Sequence, residues 1–124
     1  AFALNRHKKA MNGSKILFMG IAYKPNIDDA RESPALLVMQ EVAKKGSIVL
    51  YHDPYIDEVT DEKGNYYKGE QLTDELLSSV DCVVFTTNHD CFDVEHIVQK
   101  SKLVVDTRNA VKNVQIETDK VFKL

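Results

Sequence analysis

The sequence predicts an α/β domain with a doubly wound, mostly parallel sheet, arranged in three α/β/α layers. Four short apolar runs recur along the chain, at residues 16–19, 48–51, 82–86 and 103–105. Apolar runs of this length without polar alternation are typical of strands that are buried on both faces of a sheet. Helix start and stop signals lie between the runs, and strands that alternate with helices favour a parallel sheet.

The length and charge of the chain limit the classes of function. A chain of 124 residues with a net charge of −3 fits one domain that buries a core, and it carries no global positive field that would attract nucleic acid. Cys82 and Cys91 are too few for a disulfide framework, and neither they nor the histidines have metal-ligand spacing. We therefore expect reduced thiols, no metal and a cytoplasmic location. No apolar run has the length of a membrane span, so no membrane partner is expected.

The first segment, residues 1–12, is predicted to be a helix that ends at Gly13. It has few large apolar side chains, and a short helix of this kind is a poor independent unit. Because the sequence also starts at Ala1 rather than Met, we expect this helix to be the tail of an element that belongs to a preceding domain. The domain itself is then expected to span residues 15–124.

The first strand and the helix after it form the stretch around which the chain is organised. The strand is predicted over residues 15–22, and it ends before Lys24-Pro25 because proline lacks an amide donor and restricts the residue before it. A charged loop follows. Ser33 is a candidate N-cap, with proline at the first helical position, and the helix is predicted over residues 34–45 with Gly46 as its terminator.

The rest of the chain continues the alternation of strand and helix. A strand at residues 48–51 completes a βαβ unit, whose crossover is expected to be right-handed. The next predicted elements are a hairpin that turns at Gly64-Asn65 between residues 61–63 and 66–68, and a helix capped by Thr73 or Asp74 that ends near Ser79. They are followed by a strand at residues 82–86, a short helix through Gln99 with Asp93 as its candidate cap, a strand at residues 103–105 and a last strand at residues 120–122.

Three cations follow strands of the predicted sheet. Lys24 and Arg31 come after the first strand, residues 87–90 form a polar loop after the third, and Arg108 follows the fourth. Because all strands of a parallel sheet end at one edge, these side chains are expected to converge on a crevice. Arginine forks and a lysine charge suit the oxygens of a diphosphate, and the helix that opens at Ser33 adds its positive end. The sequence therefore predicts a diphosphate site at the carboxyl edge.

Each arginine also has a simpler interpretation. Arg31 or Arg108 could form a surface ion pair with Asp28, Asp29 or Asp106. For a single arginine the two interpretations are evenly balanced, and the presence of three cations at strand ends favours the ligand site.

A classical dinucleotide site is disfavoured by a missing motif. The phosphate-binding pattern G-x-G-x-x-G does not follow the first strand, where Gly20 is succeeded by IAYKP. Asp53, after the second strand, stands where an acid would bind the ribose of such a cofactor. Without the glycines, Asp53 is better interpreted as a turn residue before Pro54.

Two other kinds of site are weaker. Cys91 could be a nucleophile with His89 as its base, but neighbouring loop side chains rarely hold that geometry. A receiver-like switch would use Asp53 as phosphoacceptor and Thr86 or Thr87 as the switch residue. That function requires acidic magnesium ligands directly after the first strand, a position that YKP occupies here.

The motifs resemble those of one family. The segment GIAYKPNIDDARESPA at residues 20–35 is similar to the signature of the C-terminal domain of UDP-glucose/GDP-mannose dehydrogenases, and YHDPY at 51–55 and VVDTRN at 104–109 are similar to its later motifs. The similarity covers residues 15–112 in order. The variants HDPY, TTNHDCFD and DTRNA most resemble the branch that acts on UDP-N-acetylhexosamines, particularly UDP-N-acetylglucosamine 6-dehydrogenases.

The resemblance implies a Rossmann-like fold and roles for four residues. Tyr23 and Lys24 match positions that contact the sugar nucleotide, and Arg108 matches an arginine at the nucleotide end of the substrate. Arg31 matches an arginine that reaches across the interdomain cleft to the cofactor. No residue of this chain matches the catalytic cysteine motif, so no catalytic residue is assigned. The resemblance therefore implies the C-terminal domain alone, with residues 1–14 as the end of the connecting helical region.

The resemblance also implies the rest of an enzyme. Such enzymes bind NAD with an N-terminal Rossmann domain, dimerise through a central helical region and oxidise the sugar C6 alcohol to a carboxylate, which supplies polysaccharide precursors. We therefore expect this chain to bind a UDP-sugar and to contact the N-terminal and central domains of the same polypeptide. Alone, it is expected to be inactive. A stand-alone nucleotide-binding or receiver-like regulatory module is the alternative.

Overall fold

The fold is a five-stranded sheet with helices on both faces and a small hairpin beside it. The computed structural model describes residues 13–22, 24, 33–111 and 119–123. The elements are β1 (Lys15–Met19), α1 (Pro34–Lys44), β2 (Ile48–His52), β3 (Glu58–Thr60), β4 (Tyr66–Lys68), α2 (Asp74–Ser79), β5 (Cys82–Phe85), α3 (Val94–Lys100), β6 (Val104–Asp106) and β7 (Val121–Lys123).

The strand order of the main sheet is β2-β1-β5-β6-β7, and every neighbouring pair is parallel. The register places Leu17 of β1 opposite Leu50 of β2 on one side and Val83 of β5 on the other. The chain therefore winds outward from β1 in both directions. In an open sheet of this kind, the crevice lies where the winding reverses, which here is between the carboxyl ends of β1 and β5.

Both faces of the central strands β1, β5 and β6 are covered, as their apolar runs predicted, whereas β2, also predicted to be buried, is an edge strand that is only partly buried. Ile16 and Phe18 of β1 pack with Met39 of α1 on one face. Leu17 and Met19 point to the opposite face, where they pack with the buried side chains of α2 and α3. Successive residues of a strand alternate between faces, so a strand without polar residues fits only the middle layer of a three-layer domain. The predicted α/β/α arrangement is confirmed.

The predicted helix caps are present. Ser33 Oγ accepts a hydrogen bond from Ala35 N at 3.2 Å, and the proline at the first helical position needs no partner for a missing N–H. Thr73, rather than Asp74, caps α2 through its hydroxyl, which accepts from Leu76 N at 3.0 Å. Asp93 caps α3, as predicted.

Two element bounds differ from the predictions for physical reasons. β1 ends at Met19 rather than at residue 22, because Gly20 takes a φ of +85°, which is incompatible with an extended strand. The predicted hairpin exists, but its first strand is residues 58–60. The carboxylate of Asp61 accepts from the amides of Lys63 and Asn65 and so folds residues 61–65 into the turn between the two strands.

The start of the described chain is bound to the sheet. Gly13 N donates to Gly46 O at 2.9 Å, and Ile48 N donates to Ser14 O at 2.7 Å. The helix predicted over residues 1–12 lies outside the described residues, so the division at residue 14 stays a prediction. Among the described residues, no helix combines the length and the apolar character needed to cross a membrane.

The two cysteines differ in their surroundings. Cys82 is buried in β5, and its burial raises the pKa of the thiol to about 12. Cys91 is exposed in the loop after β5. Cys82 is therefore a core residue.

Candidate functional site

Lys24 and Arg108 lie at the same edge of the sheet. Lys24 follows β1 and Arg108 follows β6, and both strands run parallel to β5, which lies between them. The side chain of Arg108 turns toward the centre of the sheet, because its Nε donates to Thr86 O, just after β5, at 2.9 Å. Arg108 therefore reaches from the end of β6 to the side of the crevice between β1 and β5.

The turn that carries Arg108 is built by Asp106. The buried carboxylate of Asp106 accepts hydrogen bonds from the amides of Arg108, Ala110 and Val111 at 2.9–3.0 Å. Asn109 takes a φ of +56° within this turn, a conformation that asparagine tolerates better than most residues. Because Asp106 binds backbone amides, the interpretation of Arg108 as a partner in an ion pair with Asp106 is disfavoured.

The chain segments after β1 and β5 are in close contact. The hydroxyl of Thr87 donates to Ala22 O at 2.7 Å, and the hydroxyl of Thr86 donates to Gly20 O. A Cβ on Gly20 would lie 2.7 Å from Thr87 Cβ, and closer still to the carbonyl oxygen of Thr87. Only glycine fits this position, both for space and for its positive φ.

Asp53 joins three segments of the edge. Its Oδ1 accepts from Tyr55 N at 2.8 Å, which supports the turn before Pro54 as predicted. Its Oδ2 accepts from Ile21 N at 2.8 Å and Ala22 N at 3.1 Å, and it lies 2.9 Å from Nε2 of His89. The carboxylate therefore connects the end of β2 with the segments that follow β1 and β5.

The sequence of this domain matches a known family. Residues 17–113 match the sequence model of the UDP-glucose/GDP-mannose dehydrogenase family, UDP binding domain. The chain belongs to this family.

The chain is similar in sequence to curated dehydrogenases and similar in fold to solved dehydrogenase structures. The chain is 32% identical over 115 residues to a UDP-N-acetyl-D-mannosamine dehydrogenase of Methanococcus maripaludis, covering 86% of this chain and 25% of that protein. It is 28% identical to a UDP-glucose 6-dehydrogenase of Haloferax volcanii, covering 87% and 26%. The structure of a UDP-N-acetyl-D-mannosamine dehydrogenase of Pyrococcus horikoshii superposes with a TM-score of 0.77 at 23% identity, over 98% of this chain and 28% of the other. The chain spans about a quarter of the length of the relatives it matches.

The geometry of this UDP binding domain argues against a receiver-like switch. Asp53 is buried, and both of its carboxylate oxygens accept hydrogen bonds, so it does not present an open phosphoacceptor. In the described ranges, no group of three or more His, Cys, Asp or Glu side chains could hold a metal ion. A receiver requires both an open phosphoacceptor carboxylate and a group of acidic side chains that holds magnesium.

The Cys91 nucleophile is also disfavoured in this domain. His89 is buried with its Nε2 directed at Asp53, whereas Cys91 is exposed. The two side chains therefore occupy different environments and do not form a nucleophile and its base.

Two of the four predicted site residues, Tyr23 and Arg31, lie outside the described residues of the UDP binding domain. Sequence reasoning missed the contact between Asp53 and His89, as well as the bonds of Thr86 and Thr87. A signal existed, because all four residues lie in the loops that follow β2 and β5 of a parallel sheet. This signal indicates only that the residues share an edge of the sheet. It does not indicate that Asp53 and His89 are in contact, because β1 lies between β2 and β5.

Proposed function

We propose that this chain is the UDP-sugar-binding domain of an NAD-dependent nucleotide-sugar 6-dehydrogenase. In this proposal the complete enzyme oxidises the sugar C6 alcohol to a carboxylate and supplies precursors for polysaccharide synthesis. The main observation in support is that Lys24 and Arg108 follow parallel strands at one edge, with Arg108 tied to Thr86 beside the crevice. Membership of the UDP binding domain family and the names of the relatives give further support.

Arg108 is suited to an anionic nucleotide. Its Nε is fixed on Thr86 O, and its terminal Nη groups make no hydrogen bond within the described part of the chain. A guanidinium held in this way can direct two donors at phosphate oxygens with little further ordering. We assign Arg108 to the nucleotide end of the substrate, and Tyr23 and Lys24 to contacts with the sugar nucleotide.

The described residues do not fit a self-contained NAD site. Gly20 is the only glycine between β1 and α1, and Asp53, the candidate ribose ligand, is buried among backbone donors. We therefore propose that NAD is bound mainly by an N-terminal domain of the same polypeptide, with Arg31 reaching toward it. We also propose that the central domain of the same polypeptide contacts this chain and that the complete enzyme is a homodimer. The role of this chain is to bind and orient the UDP-sugar.

The chain alone tests this proposal through binding and activity measured side by side. Calorimetric titration with UDP is expected to show binding, and incubation with NAD and UDP-N-acetylglucosamine is expected to produce no NADH. Failure to bind UDP would contradict the substrate assignment. NADH formation by the chain alone would contradict the proposal that NAD is bound mainly by another domain and that this chain only binds and orients the UDP-sugar. The choice of UDP-N-acetylglucosamine remains a prediction, and parallel titrations with UDP-N-acetylmannosamine and UDP-glucose would test it.

A further inference from the structure

The carboxyl edge contains a buried acid–histidine pair. The side chains of Asp53 and His89 are both 0% exposed, and Asp53 Oδ2 lies 2.9 Å from His89 Nε2. The ring of His89 packs edge-on against the rings of Tyr55 and Phe92, with centroid distances of 4.9 and 5.4 Å. Because a carboxylate only accepts, Nε2 is the ring nitrogen that carries a proton.

The carboxylate of Asp53 is saturated with donors. Its two oxygens receive the amides of Ile21, Ala22 and Tyr55 and the imidazole of His89. Burying a carboxylate is costly unless several donors replace its water, and four donors meet that requirement here. The carboxylate is therefore a fixed anchor point.

The segment held by this anchor leads directly to Lys24. Asp53 binds the N–H groups of Ile21 and Ala22 from one side, and Thr87 binds the carbonyl of Ala22 from the other. The backbone is thus clamped two residues before Lys24. The position of this backbone therefore determines the position from which the Lys24 side chain extends.

We propose that Asp53 and His89 are positioning residues that set the backbone of the segment after β1 and thereby direct Lys24 at the diphosphate of the ligand. This inference rests on the proposed function, because it assigns a purpose to residues around the UDP site. A contribution to fold stability alone is the competing explanation. A positioning role predicts that UDP affinity depends on the Asp53–His89 pair and that Lys24 mediates this dependence. A role in fold stability alone does not predict a dependence through Lys24.

Asp53→Asn is the primary variant, and Asp61→Asn is its matched control. Asp61 is also buried and also accepts from two backbone amides, Lys63 and Asn65, but it organises the hairpin turn. At position 53 both carboxylate oxygens accept from backbone amides, so an asparagine must turn its Nδ2 toward a backbone N–H. At position 61 an asparagine keeps the oxygen that accepts both backbone amides and turns its Nδ2 toward the side-chain amide of Asn65. We expect Asp53→Asn to weaken UDP binding fivefold to tenfold, while Asp61→Asn changes it less than twofold.

His89→Phe is the second variant. Phenylalanine keeps the ring between Tyr55 and Phe92 but removes the donor to Asp53. We expect UDP affinity to fall threefold to fivefold. This variant carries the test if Asp53→Asn does not fold, and unchanged UDP affinity in folded His89→Phe would overturn the proposal.

A double-mutant cycle with Lys24→Ala decides between positioning and stability. If Asp53 acts through Lys24, adding Asp53→Asn to Lys24→Ala should weaken UDP binding by no more than a further twofold. A further loss equal to that of the single Asp53→Asn variant would overturn the proposal. Absence of UDP binding by the unmutated chain would contradict the proposed function instead, so the two failures are distinguishable.

Discussion

Gly20→Ala is expected to lower the free energy of unfolding by about 2–5 kcal/mol. A side chain at the φ of +85° costs about 1–2 kcal/mol, and forcing a methyl group into a packed contact costs about 1–3 kcal/mol more. The contact is with Thr87, whose Cβ would lie 2.7 Å from the new methyl carbon. Urea denaturation of the chain, followed by circular dichroism, measures the loss.

Gly64→Ala is the matched control for this prediction. Gly64 has nearly the same φ, +87°, but a Cβ there would have no heavy atom within 4 Å. Only the backbone cost of about 1–2 kcal/mol is expected. Equal destabilisation by the two variants would show that the close approach of β1 and β5 does not restrict Gly20.

Lys24→Ala and Arg108→Ala are each expected to weaken UDP binding by about 1.5–3 kcal/mol, the usual value of a hydrogen bond to a charged group. This corresponds to a rise in Kd of about tenfold to 150-fold. The reason is the loss of a cation at the edge where the winding of the sheet reverses. Calorimetric titration of each variant with UDP provides the measurement.

Lys102→Ala is the control for the two cation variants. Lys102 is exposed and precedes β6, so it lies at the amino edge of the same sheet. Its removal changes the net charge as Lys24→Ala does, but UDP affinity should change less than twofold. If all three variants weakened binding equally, the effect would come from net charge and not from a site at the carboxyl edge.

The fold could be predicted largely from local patterns. The apolar run at residues 16–19 predicts a buried strand because no polar residue interrupts it, and the caps at Ser33 and Asp93 fix where helices begin. The end of β1 could not be predicted, because Ile21 and Ala22 are as apolar as the strand. What ends the strand is the φ of Gly20, which depends on its contact with a residue distant in sequence.

For the candidate site, the sequence predicted which residues share an edge of the sheet but not which side chains are in contact. Because the strands of the main sheet are all parallel, Lys24 and Arg108 had to share an edge, and the structure has them there. The contact of Arg108 Nε with Thr86, and that of His89 with Asp53, depend on the directions of side chains across neighbouring strands. Sequence spacing does not encode those directions, so the sequence could indicate that His89 and Asp53 share an edge but not that they form a buried pair.

An NMR titration of the isotope-labelled chain with UDP shows directly whether the nucleotide binds at the carboxyl edge of the sheet. We expect amide shifts to concentrate at Gly20, Ala22, Lys24 and Arg108, and to be lost in Arg108→Ala. Shifts confined to the amino edge around Lys102 or to the β3–β4 hairpin would contradict this expectation.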